Sequence, residues 1–319
     1  MNAPLKVEQL LPELDHTHLD WLEEEAIFTL RETVAAFERP ALLFSGGKDS
    51  CVVLRLAEKA FKRKNAQGEY EGRLPFPLLH VDTGHNFPEV IEFRDRRVEE
   101  MGERLVVGHL EDSIARGTVR LASPLESRNG HQTVALLEAI EEFRFDALIG
   151  GARRDEEKAR AKERIFSHRD SFGQWQPKDQ RPELWTLFNT RLAPGEHFRV
   201  FPISNWTELD VWTYIYAEGI EIPELYFARK RPVVERSGTL IMVDDDRFRF
   251  EPGETAHEEM VRFRTLGCYP LSGGIRSTAS DLPSIIMEMQ ASRTSEREGR
   301  LIDSDQSGSM EKKKQEGYF

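Results

Sequence analysis

Ser45-Gly46-Gly47-Lys48-Asp49-Ser50 gathers two hydroxyls, an ammonium, a carboxylate and two glycines into six consecutive positions. The set is suited to a phosphate. Glycine lets the backbone come close to an anion, and backbone N–H groups at a helix start favour negative charge. The hexapeptide follows the apolar run Ala41-Leu42-Leu43-Phe44 and precedes Cys51-Val52-Val53-Leu54-Arg55-Leu56-Ala57. That order reads as strand, glycine turn, amphipathic helix. The chemistry expected at 45–50 is therefore nucleotide or phosphoester binding. A Walker A loop needs a glycine five residues before the Gly-Lys pair, and Gly-x-Gly-x-x-Gly is absent too.

Two other stretches carry reactive side chains. His80-Val81-Asp82-Thr83-Gly84-His85 ends a second apolar run. Asp82 and Thr83 suit ribose, adenine or a magnesium-bound water. They equally suit a strand-end Asx turn with Gly84 in a left-handed conformation. His85 has no second histidine or cysteine at metal-site spacing, so no metal ligands are assigned. The third stretch opens with Gly150-Gly151. Residues 151–170 hold seven Lys/Arg against five Asp/Glu in a chain whose net charge is −12. Read as a helix, it puts Arg153, Arg160 and Arg164 on one stripe and Arg154, Lys158 and Lys162 on another. Its first turn would point Arg153 and Arg154 at a bound anion. Lys158 and Arg160 are further candidates, and Lys162 and Arg164 are expected on the surface. The alternative is a solvated helix with pairs such as Glu156–Arg160.

Alternating elements must position these groups. Helices are expected over 18–37, 49–62, Pro88 to Met101, 133–143 and Thr207 to Ala217, the last capped by Thr207 with Asp210 three residues on. Strands are expected at 41–44, 76–81, 105–107, 147–149 and 198–201. Strand alternating with helix implies an α/β, Rossmann-like parallel sheet covered on both faces, with ligands at the C-terminal strand ends. Glycines at 46–47, 84 and 150–151 should then line one crevice. Residues 167–196 read as a long loop. From 219 the pattern is short and irregular, and 291–319 is polar with balanced charge. The expected division is 1–218, with a helical lead-in over 1–39, and an irregular extension over 219–319.

The 319 residues exclude several classes. Net acidity disfavours nucleic-acid or anionic-membrane binding. Two isolated cysteines, Cys51 and Cys268, give no zinc ribbon, iron–sulfur site or disulfide framework and fit a reducing cytoplasm. No signal peptide or membrane-length apolar run is read.

The Ser-Gly-Gly-Lys-Asp-Ser string resembles the PP-loop of the adenine nucleotide alpha-hydrolase-like ATP pyrophosphatases, and His80–His85 resembles that superfamily's second block. Within it, the chain is similar over nearly its whole length to the small subunits of heterodimeric bacterial sulfate adenylyltransferases. The resemblance includes Phe172-Gly173-Gln174-Trp175, Phe201-Pro202-Ile203-Ser204-Asn205-Trp206, Leu266-Gly267-Cys268-Tyr269-Pro270 and the tail through Gly317-Tyr318-Phe319. Tyr269, where tryptophan is common, and Gly274 depart from the pattern. The resemblance implies the reaction ATP + sulfate → adenosine 5′-phosphosulfate + pyrophosphate, with Mg²⁺ on the phosphates. It implies that Ser45–Ser50 hold the β- and γ-phosphates, and that Lys48, Arg153 and Arg154 act catalytically. It also implies a large GTPase subunit as partner, contacted by residues from about 219 and by the 297–319 tail. The related sulfonucleotide reductases carry a nucleophilic cysteine in their tails. This tail has none, and Cys268 reads as a buried small residue. A non-catalytic scaffold with a relict nucleotide site is disfavoured by intact Lys48, Asp49, Arg153 and Arg154.

Overall fold

The computed structural model describes residues 16–122, 128–156 and 160–291. The expected tail contact and Lys158 lie outside the described residues. A six-stranded sheet forms the centre. Its strands are β1 (Pro40–Leu43), β2 (Leu78–Asp82), β3 (Leu105–His109), β4 (Ala147–Ile149), β5 (Phe166–Arg169) and β6 (His197–Val200). The order is β3-β2-β1-β4-β6-β5, with β5 alone antiparallel. Leu42 registers with Leu78 on one side and Ile149 on the other, so β1 lies between parallel neighbours and leads the Ser45 loop out of the sheet's middle.

Both sheet faces are covered, which is why β1 and β4 are apolar at every position rather than alternating. The helices are α1 (His16–Ala36), α2 (Lys48–Phe61), α3 (Pro88–Met101), α4 (Leu110–Arg116), α5 (Gln132–Phe143), α6 (Glu208–Glu218) and α7 (Leu282–Ala291). Leu42, Phe44, Leu78 and Ile149 point to one face, in a core with Leu30, Val52, Leu56 and Trp212 from α1, α2 and α6. Ala41, Leu79 and Leu148 point to the other, against Leu136, Ala139 and Ile140 of α5. At α6 the expected cap forms in full. Asp210 N–H donates to Thr207 Oγ1 at 3.1 Å and Thr207 N–H donates to Asp210 Oδ2 at 2.8 Å, a reciprocal box of the kind that contributes about 1 kcal/mol.

The structure differs from the sequence expectation in three places. The described residues of the stretch 151–164 are not an α-helix. Residues 151–156 form an extended segment and a turn, and Arg160–Lys162 a short 3₁₀ stretch. Arg, Lys and Glu favour helix locally. Here Arg153 is instead drawn into the interior by Asp49, and Arg169 and Glu163 pair at 2.6 Å. The loop read over 167–196 begins inside β5, whose Ser167, His168 and Arg169 are buried; polar residues paired to one another gave no apolar strand signal.

The third difference lies after residue 219. Strands β7 (Arg229–Arg236), β8 (Thr239–Met242), β9 (His257–Arg262) and β10 (Gly273–Arg276) close a small antiparallel barrel in the order β8-β10-β9-β7. Val233, Leu240 and Val261 fill its inside, while their neighbours Val234, Ile241 and Met242 pack outward with Phe87, just before α3, and Val90 of α3. Apolar residues serving both faces erase the two-residue alternation a strand usually shows. The Phe87 ring lies edge-on to Phe263 and Tyr269, with centroids 5.2 and 5.5 Å away, so the barrel is held against the mouth of the sheet.

Candidate nucleotide and anion site

The loop after β1 turns at Gly46, whose φ is +76°. A Cβ there would also stand 3.0 Å from Val90 Cγ1. Ser45 Oγ accepts the Gly47 N–H at 3.3 Å and donates to Ser50 Oγ at 3.3 Å. Ser50 Oγ donates to Gly47 O at 2.8 Å, so the two hydroxyls stitch the turn. α2 starts at Lys48. Gly47 offers its N-terminus no side-chain cap; the Lys48 N–H donates instead to Tyr226 Oη at 2.8 Å. The Lys48 side chain is fully buried, and Nζ sits 2.9 Å from Asp49 Oδ2.

Asp49 Oδ1 receives the Arg153 Nε–H at 2.8 Å. The segment after β4 comes close enough for this because Gly151 has no side chain. A Cβ at Gly151 would lie 3.0 Å from both the carbonyl carbon and the Cβ of Asp49. Arg153 is as buried as Lys48. Arg154 turns away, bonding Asn205 Oδ1 and the Glu163 carbonyl. Arg160 is buried beside Glu156, Nε to Oε2 3.2 Å.

Asp82 and Gly84 adopt the Asx turn: Gly84 N–H donates to Asp82 Oδ1 at 2.7 Å and Gly84 has φ +71°. Thr83 is buried, donating to Asn86 Oδ1 at 3.2 Å and lying 3.4 Å from Cys268 Sγ. His80 is fixed at both nitrogens, Nδ1 on the Phe44 carbonyl at 2.9 Å and Nε2 on Asn86 Nδ2 at 2.8 Å. Burial and then the Arg94 charge push its pKa down to about 4, so it is neutral and holds the strand end that feeds the loop.

These elements enclose a cavity of ≈ 280 Å³ at the C-terminal ends of β1, β2 and β4, the position expected for ligands in an open α/β sheet. Of the residues expected from sequence, Ser45, Asp49, Ser50, Gly150, Gly151 and Arg160 line it. Lys48 and Arg153 pair with the lining residue Asp49 from outside the cavity, and Gly46, Gly47, Arg154, Asp82, Thr83 and Gly84 do not line it. The β2 side is lined instead by His80, Val81 and Asn86. Leu43, Leu79 and Phe201 make one wall apolar, while Asp49, Glu156 and Arg160 concentrate charge at the loop end.

Sequence reasoning missed the far wall: Asn129 and Gln132 at the start of α5, and Leu266 to Ser272 after the barrel strand β9. The Gly-Cys-Tyr-Pro string was the available signal. Cys268 is buried, takes a hydrogen bond from Gln132 Nε2 at 3.2 Å, and has its thiol pKa raised by burial. That environment suppresses a thiolate. Cys51 is likewise buried with its pKa raised. Among the described residues no cluster of three or more His, Cys, Asp or Glu could hold a metal ion by itself, and no helix is long and apolar enough to cross a membrane.

The sequence pattern of the phosphoadenosine phosphosulfate reductase domain matches residues 39–274. A protein of Geotalea daltonii named sulfate adenylyltransferase subunit 2 is 57% identical over 308 residues, covering 95% of this chain and 98% of that one. One of the same name from Saccharophagus degradans is 55% identical over 311 residues, covering 97% and 100%. A crystal structure of phosphoadenylyl-sulfate reductase from Candida auris has a TM-score of 0.42 at 16% identity, over 66% of this chain and 90% of that one.

Proposed function

The chain belongs to the phosphoadenosine phosphosulfate reductase domain family, in its sulfate adenylyltransferase subunit 2 branch, and from that membership and the cavity we propose that it adenylylates sulfate: ATP + sulfate → adenosine 5′-phosphosulfate + pyrophosphate. The observation that carries the reading beyond the name is the meeting of Ser45, Ser50 and Arg160 in one cavity whose other wall is apolar. The adenine occupies the apolar side. The β- and γ-phosphates lie against the Ser45–Ser50 loop and the start of α2, and leave together as pyrophosphate.

Sulfate is a weak nucleophile and already a dianion at neutral pH. No general base is needed; the protein's work is alignment and charge neutralisation. Arg160 is the cation proposed to face sulfate and the α-phosphate. Lys48 and Arg153, buried on either side of Asp49, add positive potential from behind the loop. A buried, suppressed Cys268 thiol disfavours the thiolate attack that a reductase would need.

Mg²⁺ is proposed on the phosphates. The residues present suit an ion that stays on the phosphates and keeps its water: Asp49 and Glu156 line the cavity at the loop end but already pair with Lys48, Arg153 and Arg160, so they would meet it through water. When bound, the ion would neutralise the leaving group; the side chains orient the phosphates for it.

The products lie uphill of the substrates, and the proposed partner is a large subunit that hydrolyses GTP, in the cytoplasm where both nucleotides are supplied. Residues 1–218 supply the sheet and the phosphate loop of the proposed catalytic unit, Leu266–Ser272 close its cavity, and 219–319 is the part that also meets the partner. Leu184, Trp185 and Leu187 are exposed in the segment between β5 and β6, a further surface of the kind used in association. The test is sulfate-dependent exchange of pyrophosphate into ATP, with and without the large subunit, for the native chain and Lys48→Ala. A folded Lys48→Ala that keeps native exchange removes the loop assignment. No exchange by the native complex removes the reaction.

A further inference from the structure

The N–H of Lys48 is the first donor of α2, and helix-first donors need an acceptor from outside the helix. The side chain of the preceding residue, where it caps, serves the second or third amide and not the first, and Gly47 offers no such cap. The acceptor comes from 178 residues further along the chain, the hydroxyl of Tyr226 at 2.8 Å.

Tyr226 is held firmly in this role. It is 1% exposed, and its ring meets Trp212 of α6 edge-on at 5.5 Å. Burial raises the phenol pKa, so a neutral hydroxyl meets the amide. A Cβ on Gly47 would come 3.4 Å from the same oxygen. The residue also belongs to the barrel's entry. It closes the short 3₁₀ turn Glu224–Tyr226; the preceding carbonyl, Leu225 O, accepts Phe263 N–H at 2.9 Å, and Ala228 N–H donates to Ala279 O at 2.8 Å. Phenylalanine would fill the same space. Only the hydroxyl reaches the loop.

We propose that Tyr226 is a positioning residue for the phosphate loop: its hydroxyl occupies the Lys48 amide, sets the angle at which the loop meets α2, and ties that angle to the barrel. The amide so occupied is withdrawn from the donors a phosphate could use. Pyrophosphate is then held by a loop whose shape is determined from the C-terminal part of the chain. This inference rests on the proposed reaction and adds a residue to it.

The experiment is ATP synthesis from adenosine 5′-phosphosulfate and pyrophosphate by the complex with the large subunit, comparing native protein with Tyr226→Phe. The expected result is a KM for pyrophosphate raised about tenfold, the order expected for losing one well-placed hydrogen bond. The KM for adenosine 5′-phosphosulfate should stay within about twofold. Equal KM values for both substrates in the two proteins, or parallel changes in both, overturn the inference. A native complex that makes no ATP takes down the reaction itself. Should Tyr226→Phe fail to fold, amide hydrogen exchange on the native protein decides. The Lys48 amide is expected to be protected far beyond Gly46, with or without pyrophosphate, and exchange as fast as Gly46 overturns the assignment.

Discussion

Arg153 Nε donates to Asp49 Oδ1 at 2.8 Å across the gap between the segment after β4 and the first turn of α2. The two residues stand 104 positions apart in sequence. Asp49 takes Lys48 on its other oxygen, so one carboxylate orders two buried cations behind the cavity wall.

Arg153→Ala should therefore act on both activity and stability. Asp49 keeps Lys48, which limits the stability loss to about 2 kcal/mol. Exchange activity should fall by about a hundredfold, as when one preorganised charge is removed. Arg153→Lys should not restore it, because an ammonium cannot reproduce the guanidinium geometry. Urea unfolding and steady-state exchange on the same samples test this. Native kinetics in the destabilised Ala variant would reduce Arg153 to a structural role.

Arg160 differs from Arg153 in lining the cavity itself. Arg160→Ala should raise the KM for sulfate at least tenfold or so, the value of about one charge-assisted hydrogen bond, with a smaller effect on ATP. A larger effect on ATP than on sulfate would assign Arg160 to the phosphates.

Cys268 sits in the wall without reactive character. Cys268→Ala should keep activity within about threefold, since only weak sulfur contacts with Gln132, Thr83 and Asn129 are lost. In the folded native protein, iodoacetamide at mildly alkaline pH should label it slowly, and unfolding should release it. Complete loss of turnover in the Ala variant would mean that the thiol does chemistry.

His80 sets an acid limit. Its folded-state pKa is about 4 against an ordinary 6.5. As pH falls, the unfolded chain takes up the proton first, so stability is flat above about pH 6.5 and declines towards pH 4. The full decline from this residue is roughly 3 kcal/mol. His197, also shifted down by burial and then by Arg199, adds in the same direction. Unfolding midpoints across that range should show the slope, and His80→Gln should make it shallower, leaving the part that His197 contributes. An unchanged slope would locate the acid sensitivity elsewhere.

Much of the fold was legible because α/β packing writes itself locally. β1 and β4 are continuous apolar runs, α3 spans Pro88 to Met101 as its Pro start and Gly102 stop require, and Thr207 with Asp210 marked α6. The site was legible at the strand ends, where Ser45, Ser50 and Gly151 sit. It was not legible where polar residues are buried through one another. Arg153 reads as an anion-facing residue in the first turn of a helix, and its burial against Asp49 shows only when Asp49 is placed opposite it. Tyr226, Gln132 and Cys268 enter the site through contacts 136 to 185 residues long, which no window of sequence contains. The barrel escaped notice because Val233 and Val234 serve opposite faces.

The stretch Leu266–Ser272, which walls the cavity from beyond β9, bears on how this chain can be dissected. A fragment ending at residue 218 keeps every strand of the central sheet and the whole Ser45–Ser50 loop. It would still be missing one side of its ligand chamber and the hydroxyl that caps α2. The candidate cavity and the central sheet are thus not separable cargo: a truncation or domain graft that preserves the sheet alone delivers a scaffold whose cavity lacks a wall.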